Sequence, residues 1–193
     1  MTPARSFRDA GQAFPIYITV VAALLFLALA YLAVGQAAVN RNGAQTAADA
    51  AALAAAMKTR DQLADQWVQD VLDPTKWQDI FDGVTGTNSC WRADQLAAQN
   101  DASAQCSEPA PLRYVVDAKT NKPVGDSVVP GTENIRSTAH ATAVIEPLCT
   151  FTLSGGGGVL PELTCRDRNW DLDPTDLTDL PGPEDLFDVH LAD

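Results

Sequence analysis

The chain has 193 residues with 12 glycines and 12 prolines, which leaves room for one modest core plus an extra segment and argues against a single idealised helical bundle. A net charge of -12 removes the counterion release that drives binding to polyanions, so DNA and RNA are excluded as partners. The charge is also uneven. Up to Arg41 only Asp9 opposes Arg5, Arg8 and Arg41, and the acidic excess lies downstream.

Residues 1–14 read as a basic head and residues 15–39 as a transmembrane helix. Residues 16–34 carry no charged side chain, and at about 1.5 Å per residue they form a rod of roughly 28 Å, the hydrocarbon thickness of a bilayer. Pro15 stands where a helix can start, because its missing N–H is one of the unpaired donors of a first turn. Arg5 and Arg8 before the span, with acidic sequence after it, put the N-terminus in the cytoplasm and the rest outside the cell membrane. A cleaved signal is the competing reading, since Ala33-Val34-Gly35 offers small residues at a peptidase spacing. The span is longer than a signal core of about 7–15 residues and has no turn before that site, which favours retention.

Residues 40–73 are expected to continue the helix outside the bilayer. Residues 44–72 contain neither proline nor glycine and are dense in Ala, Leu, Gln and Asp, until Asp73-Pro74 stops them. Asn42-Gly43 is the weak point; without a break there, one rod of about 85 Å results. Ala44, Ala47, Ala48, Ala51, Ala52, Ala55 and Ala56 follow the i, i+3, i+4 pattern of one face, small enough for another helix to approach closely. The same alanines also suit a plain spacer, because alanine is the best helix former. Leu63, Ala64, Trp67, Val68, Val71 and Leu72 form a larger apolar stripe, expected to seat the C-terminal domain.

Residues 74–166 read as a small α+β domain stapled by disulfides. Cys90, Cys106, Cys149 and Cys165 are too far apart for a CxxC redox motif and lack the clustered partners of a zinc site. Of three pairings, Cys90 with Cys106 and Cys149 with Cys165 close the shortest loops, each worth roughly 3 kcal/mol by chain entropy. The apolar run at residues 114–116, a turn at residues 120–122 and a second run at residues 127–129 suggest a hairpin. "IRSTAHATAVIEPL" alternates like another strand. The expected fold class is therefore α+β, a long N-terminal helix packed against a small antiparallel sheet.

Other stretches carry no chemistry. "GGGG" at residues 155–158 lacks the Lys-Ser/Thr of a phosphate loop and reads as a turn. His140 and His190 have no serine or cysteine motif beside them. Residues 167–193 form an acidic tail, expected to be flexible; Asp171, Asp173, Asp176 and Asp179 miss the glycine and glutamate positions of a calcium-binding EF-hand. No cofactor, metal or catalytic residue is expected.

The succession of Arg5 and Arg8, "GQAFPIY", an apolar span and "AQTAADAAALAAA" resembles the N-terminal region of the TadE/TadG-like proteins of Flp (tight adherence) pilus assembly. The resemblance covers about residues 5–56. It implies a single-pass, pilin-like membrane subunit of a pilus or related envelope machine, whose helix packs on other pilus-assembly membrane proteins. Prepilin-type processing in this system cuts after a glycine and is followed by Glu five residues later. Gly11 and Gln12 are the candidate processing site and Tyr17 matches, but Ile16 replaces the Glu. An unprocessed anchor or a minor subunit at a filament end fits that departure better than a major pilin. Longer members carry a von Willebrand A-type metal loop, and Asp101-Ala-Ser103-Ala-Gln105 lacks its last serine. The alternative is a membrane-tethered extracellular module that recognises a wall polymer, a cation or a protein.

Overall fold

A computed structural model describes residues 13–123, 134–153, 160–166 and 168–192. Helix α1 (Ala13–Gln69) runs for 57 residues without interruption, about 85 Å at the standard rise. Gly43 does not break it: a Cβ added there would meet nothing within 4 Å, so the glycine is simply one exposed helical position. The helix ends in a turn before Asp73-Pro74, since proline clashes with a helical residue preceding it. The Trp77 indole N–H closes the end by donating to the Asp70 carbonyl at 3.1 Å.

A 3-10 turn (Pro74–Lys76) leads into α2 (Trp77–Phe81). Gly83 follows at φ +72°, the left-handed conformation that ends helices, and a Cβ there would come within 2.6 Å of the Leu112 side chain. Helix α3 (Cys90–Gln99) packs on α1. Beyond it, β1 (Ala102–Ala110), β2 (Arg113–Thr120) and β3 (Thr138–Pro147) pair antiparallel, and β7 (Phe187–Leu191) completes the sheet in the order β1-β2-β3-β7. Pro111 and Leu112 make the β1–β2 turn, Leu112 at φ 63°. A second sheet joins β4 (Cys149–Phe151), β5 (Leu163–Cys165) and β6 (Asn169–Trp170), and a short α4 (Pro183–Leu186) precedes β7.

The class is α+β, as expected. Cys90 is bonded to Cys106 and Cys149 to Cys165, with Cα atoms 5.4 and 3.9 Å apart. The second bridge links directly paired positions of β4 and β5. The expected strand within "IRSTAHATAVIEPL" is β3. The first run of the proposed hairpin is β2, whose partners are β1 and β3; residues 127–129 and the glycines at 155–158 lie outside the described residues.

Two expectations are corrected. Residues 167–193 are not simply a flexible tail: β7 pairs with β3 from Ala143↔Leu191 to Pro147↔Phe187, and Leu186 and Phe187 are buried. Their apolar side chains outweigh the local acidity, because they fill the end of the core next to Phe81, whose ring centroid lies 5.4 Å from that of Phe187. The alanine face, in turn, is not left open for another subunit's helix. Ala44, Ala47, Ala48, Ala51, Ala52, Ala55 and Ala56 have no exposed surface, and α1 packs on β2, β3 and α3 of the same chain.

Candidate functional site: one helix with two surfaces

The buried half of α1 is matched to the sheet by side-chain size. Strand alternation sends Ala118 of β2 and Ala141 and Ala143 of β3 to the same buried side as Tyr114, Val116 and Ile145. Small side chains on both elements form one continuous core and let helix and sheet approach closely. Further along α1, Leu63, Ala64, Trp67 and Val71 of the expected stripe are buried, while Val68 and Leu72 are exposed. Trp67, Trp77, Phe151, Phe81 and Phe187 form a chain of ring contacts with centroids 5.2–5.9 Å apart over this stripe.

A buried hydroxyl network joins α1, the start of α3 and β2. Thr59 of α1 shares a hydrogen bond with the Tyr114 phenol at 2.7 Å and donates to the Ser89 Oγ at 2.9 Å, while the Ser89 N–H donates to the Tyr114 oxygen at 3.1 Å. Burial pushes the Tyr114 phenol up from its ordinary value, against the lowering effect of the Thr59 and Ser89 contacts. The neutral phenol is thus the form the fold stabilises. Its contribution is complete below the unfolded pKa of about 10 and is lost as pH rises through the higher folded value. Tyr114→Phe is expected to lower stability by about 1–3 kcal/mol at pH 8, because the buried Ser89 N–H loses its partner. Denaturant midpoints between pH 8 and 11.5 should fall more steeply for the parent than for Tyr114→Phe; parallel curves would contradict this assignment.

The other half of α1 has the opposite character. Phe14, Ile16, Tyr17, Leu24, Leu25, Phe26, Leu27, Leu32 and Val34 are exposed, and Tyr31 is 82% exposed. An apolar surface of this length has no protein covering among the described residues, and α1 is the helix long and apolar enough to cross a membrane. Tyr17 and Tyr31 stand towards opposite ends of it, where aromatic side chains favour the bilayer interfaces.

Several charged side chains of the domain make local contacts. Asp173 accepts from the Thr175 N–H and hydroxyl at 2.8 and 2.7 Å, which holds its carboxyl below the usual range. Asp176 accepts from the Thr178 N–H and hydroxyl at 3.2 and 2.6 Å. Asp179 pairs with Arg168 at 2.8 Å. His140 lies 2.9 Å from Asp117, its register partner on β2. One grouping was not anticipated: the His190 Nδ1 is 3.3 Å from Asp188 and its Nε2 3.9 Å from Glu146, a partly exposed cluster on the β3–β7 pair. Its sequence signal is the two-residue spacing of Asp188 and His190, which only the pairing of Glu146 opposite Asp188 completes. Asp101 immediately precedes β1 at φ 53° and pairs with Lys122 at 2.8 Å.

Gly11 and Gln12, the candidate processing site, lie outside the described residues. No curated protein and no solved structure matches the chain. The family model for Flp pilus-assembly TadE/G-like proteins matches residues 11–58, the stretch that holds both the exposed apolar surface and the buried alanine face. The N-terminal region of this chain, residues 11–58, is thus similar to the TadE/G-like proteins of Flp pilus assembly.

Proposed function

We propose that the protein is a single-pass, pilin-like structural component of a Flp (Tad) pilus or a related envelope assembly, with its N-terminus in the cytoplasm and its disulfide-bonded domain outside. The carrying observation is the match at residues 11–58 on a helix whose apolar half has no intramolecular covering among the described residues. Arg5 and Arg8 support the orientation, and two disulfides suit an oxidising compartment.

In this reading the contacts to other subunits run through the exposed segment of α1, because the alanine face is spent inside the chain. Photo-reactive side chains at Leu25 and Leu32, incorporated in the native membrane, are expected to give discrete adducts with other pilus-assembly membrane proteins or with a second copy. The same probe at Val84, exposed on the domain, serves as the control. Lipid adducts alone at Leu25 and Leu32 would overturn the proposal and favour a tethered module on a passive stalk.

A further inference from the structure

The exported domain does not hang from its helix by a linker. Asn40, just past the apolar span, is a hydrogen-bonding hub: its Nδ2 donates to the Lys122 carbonyl at 3.4 Å, and its Oδ1 accepts from the Thr120 hydroxyl at 3.3 Å and the Ser137 N–H at 3.2 Å. The ends of β2 and β3 are held together beside it, the Thr120 N–H donating to the Ser137 carbonyl at 3.0 Å and the Ser137 N–H also reaching the Thr120 hydroxyl at 3.1 Å. The same end of the sheet is therefore fixed about six helical residues, or roughly 9 Å, beyond Val34. A headgroup layer of about 5–7 Å lies on each side of the hydrocarbon core, so a helix that spans places this edge at the bilayer surface.

The side chains there suit that position. Arg41, Lys119, Lys122 and Arg136 are exposed, and Ile135 is a large apolar side chain 53% exposed beside Arg136. Asp101 pairs with Lys122, and Asp126 and Glu133 occur in the connecting sequence, yet basic residues are concentrated here in a chain that is otherwise strongly acidic. Lysine and arginine with an adjacent aliphatic group are what a phosphate layer over hydrocarbon attracts: the stems and the isoleucine enter the apolar boundary while the cations reach phosphate oxygens.

We propose that this edge, with Lys122, Ile135 and Arg136 at its centre and Arg41 beside it, docks on the phosphates of lipid headgroups, so that α1 and the bilayer surface together orient the domain. The inference rests on the reading of α1 as a membrane span. Its test uses the full chain in nanodiscs, with isoleucine δ1-methyl labelling and a headgroup-chelated gadolinium lipid as relaxation probe. The five isoleucines are depth markers: Ile16 and Ile18 at the far end of the span, Ile80 and Ile145 in the core of the domain, and Ile135 at the proposed contact.

The expected result is strong broadening of Ile135 together with Ile16, and little at Ile80 and Ile145. Lys122→Glu with Arg136→Glu should weaken the broadening of Ile135 alone, and anionic phosphatidylglycerol should strengthen it relative to phosphatidylcholine. Broadening of Ile16 without Ile135 would overturn the docking while leaving the span intact. Absence of broadening at Ile16 and Ile18 would overturn the span itself and the docking with it. If the double variant leaves Ile135 fully broadened in both lipids, the basic side chains do not make the contact and the proposal fails.

Discussion

Replacing Ala51 with leucine is expected to destabilise the disulfide-bonded domain itself, in the isolated protein and without any assembly partner. Ala51 has no exposed surface and lies in the same buried core as Ala141 and Ala143 of the sheet. Three further heavy atoms have nowhere to go between a helix and a sheet whose facing side chains are equally small, so backbones must separate or rotamers must strain. Such overpacking costs about 1–3 kcal/mol, and the rigid second wall here argues for the upper end. Helix propensity does not confuse the comparison, because leucine is nearly as good a helix former as alanine. Ala54→Leu, on the half-buried back of α1, supplies the matched control and should change stability little. Denaturant unfolding in micelles, followed by the fluorescence of buried Trp67, Trp77 and Trp170, reads the difference. Equal midpoints for the two variants would show that the alanine face is not a core and would return it to the role of an intersubunit surface.

Removing residues 187–193 is expected to have an effect as large or larger. Without β7 the sheet loses its fourth strand, the β3 backbone from Ala143 to Pro147 loses its hydrogen-bonding partner, and Phe81 loses the cover of Phe187. Phe187→Ala keeps the strand and isolates the packing contribution, about 3–5 kcal/mol for a fully buried phenylalanine. The truncated chain should therefore be digested rapidly by a soluble protease where the parent resists, and Phe187→Ala should fold with a clearly lowered midpoint. A truncated chain as resistant as the parent would mean that the C-terminal residues are the dispensable acidic tail that their composition suggests.

These two variants mark where local pattern stops being informative. The apolar span, its continuation into an alanine-rich helix and the end at Asp73-Pro74 are legible because each depends on neighbours in sequence: unbroken hydropathy, helix propensity and the steric effect of proline. The disulfide pairing was legible for a related reason, since short loops are entropically the easiest to close and both bridges are local. The role of the alanines was not. An i, i+3, i+4 stripe states that something comes close, and both a foreign helix and the chain's own sheet satisfy it. The deciding signal lay about 90 residues away, in the alternation of Ala139, Ala141 and Ala143 along β3, and it acquires meaning only once β3 is placed against α1.

The C-terminal strand was hidden by a similar ambiguity. Asp171, Asp173, Asp176 and Asp179 dominate the composition of the last segment, and composition is an average that a few buried side chains can override. Leu186, Phe187 and Leu191 give no strong period in so short a stretch, yet in the folded chain they pack on the apolar end of the core. The Asn40 hub was likewise beyond reach, because its partners Thr120, Lys122 and Ser137 come from strand ends 80 to 97 residues away.

The sequence by itself determined the parts whose energetics are local or depend on the solvent: a helix apolar enough to cross a bilayer, its basic head, its alanine-rich extension, the two short disulfide loops and the N-terminal TadE/G-like pattern. Only the tertiary structure decided which surface of that helix remains available. Burial is a property of pairs of elements brought together over long sequence distances, so the sheet closing on the alanines spends one face inside the chain and leaves the apolar half exposed.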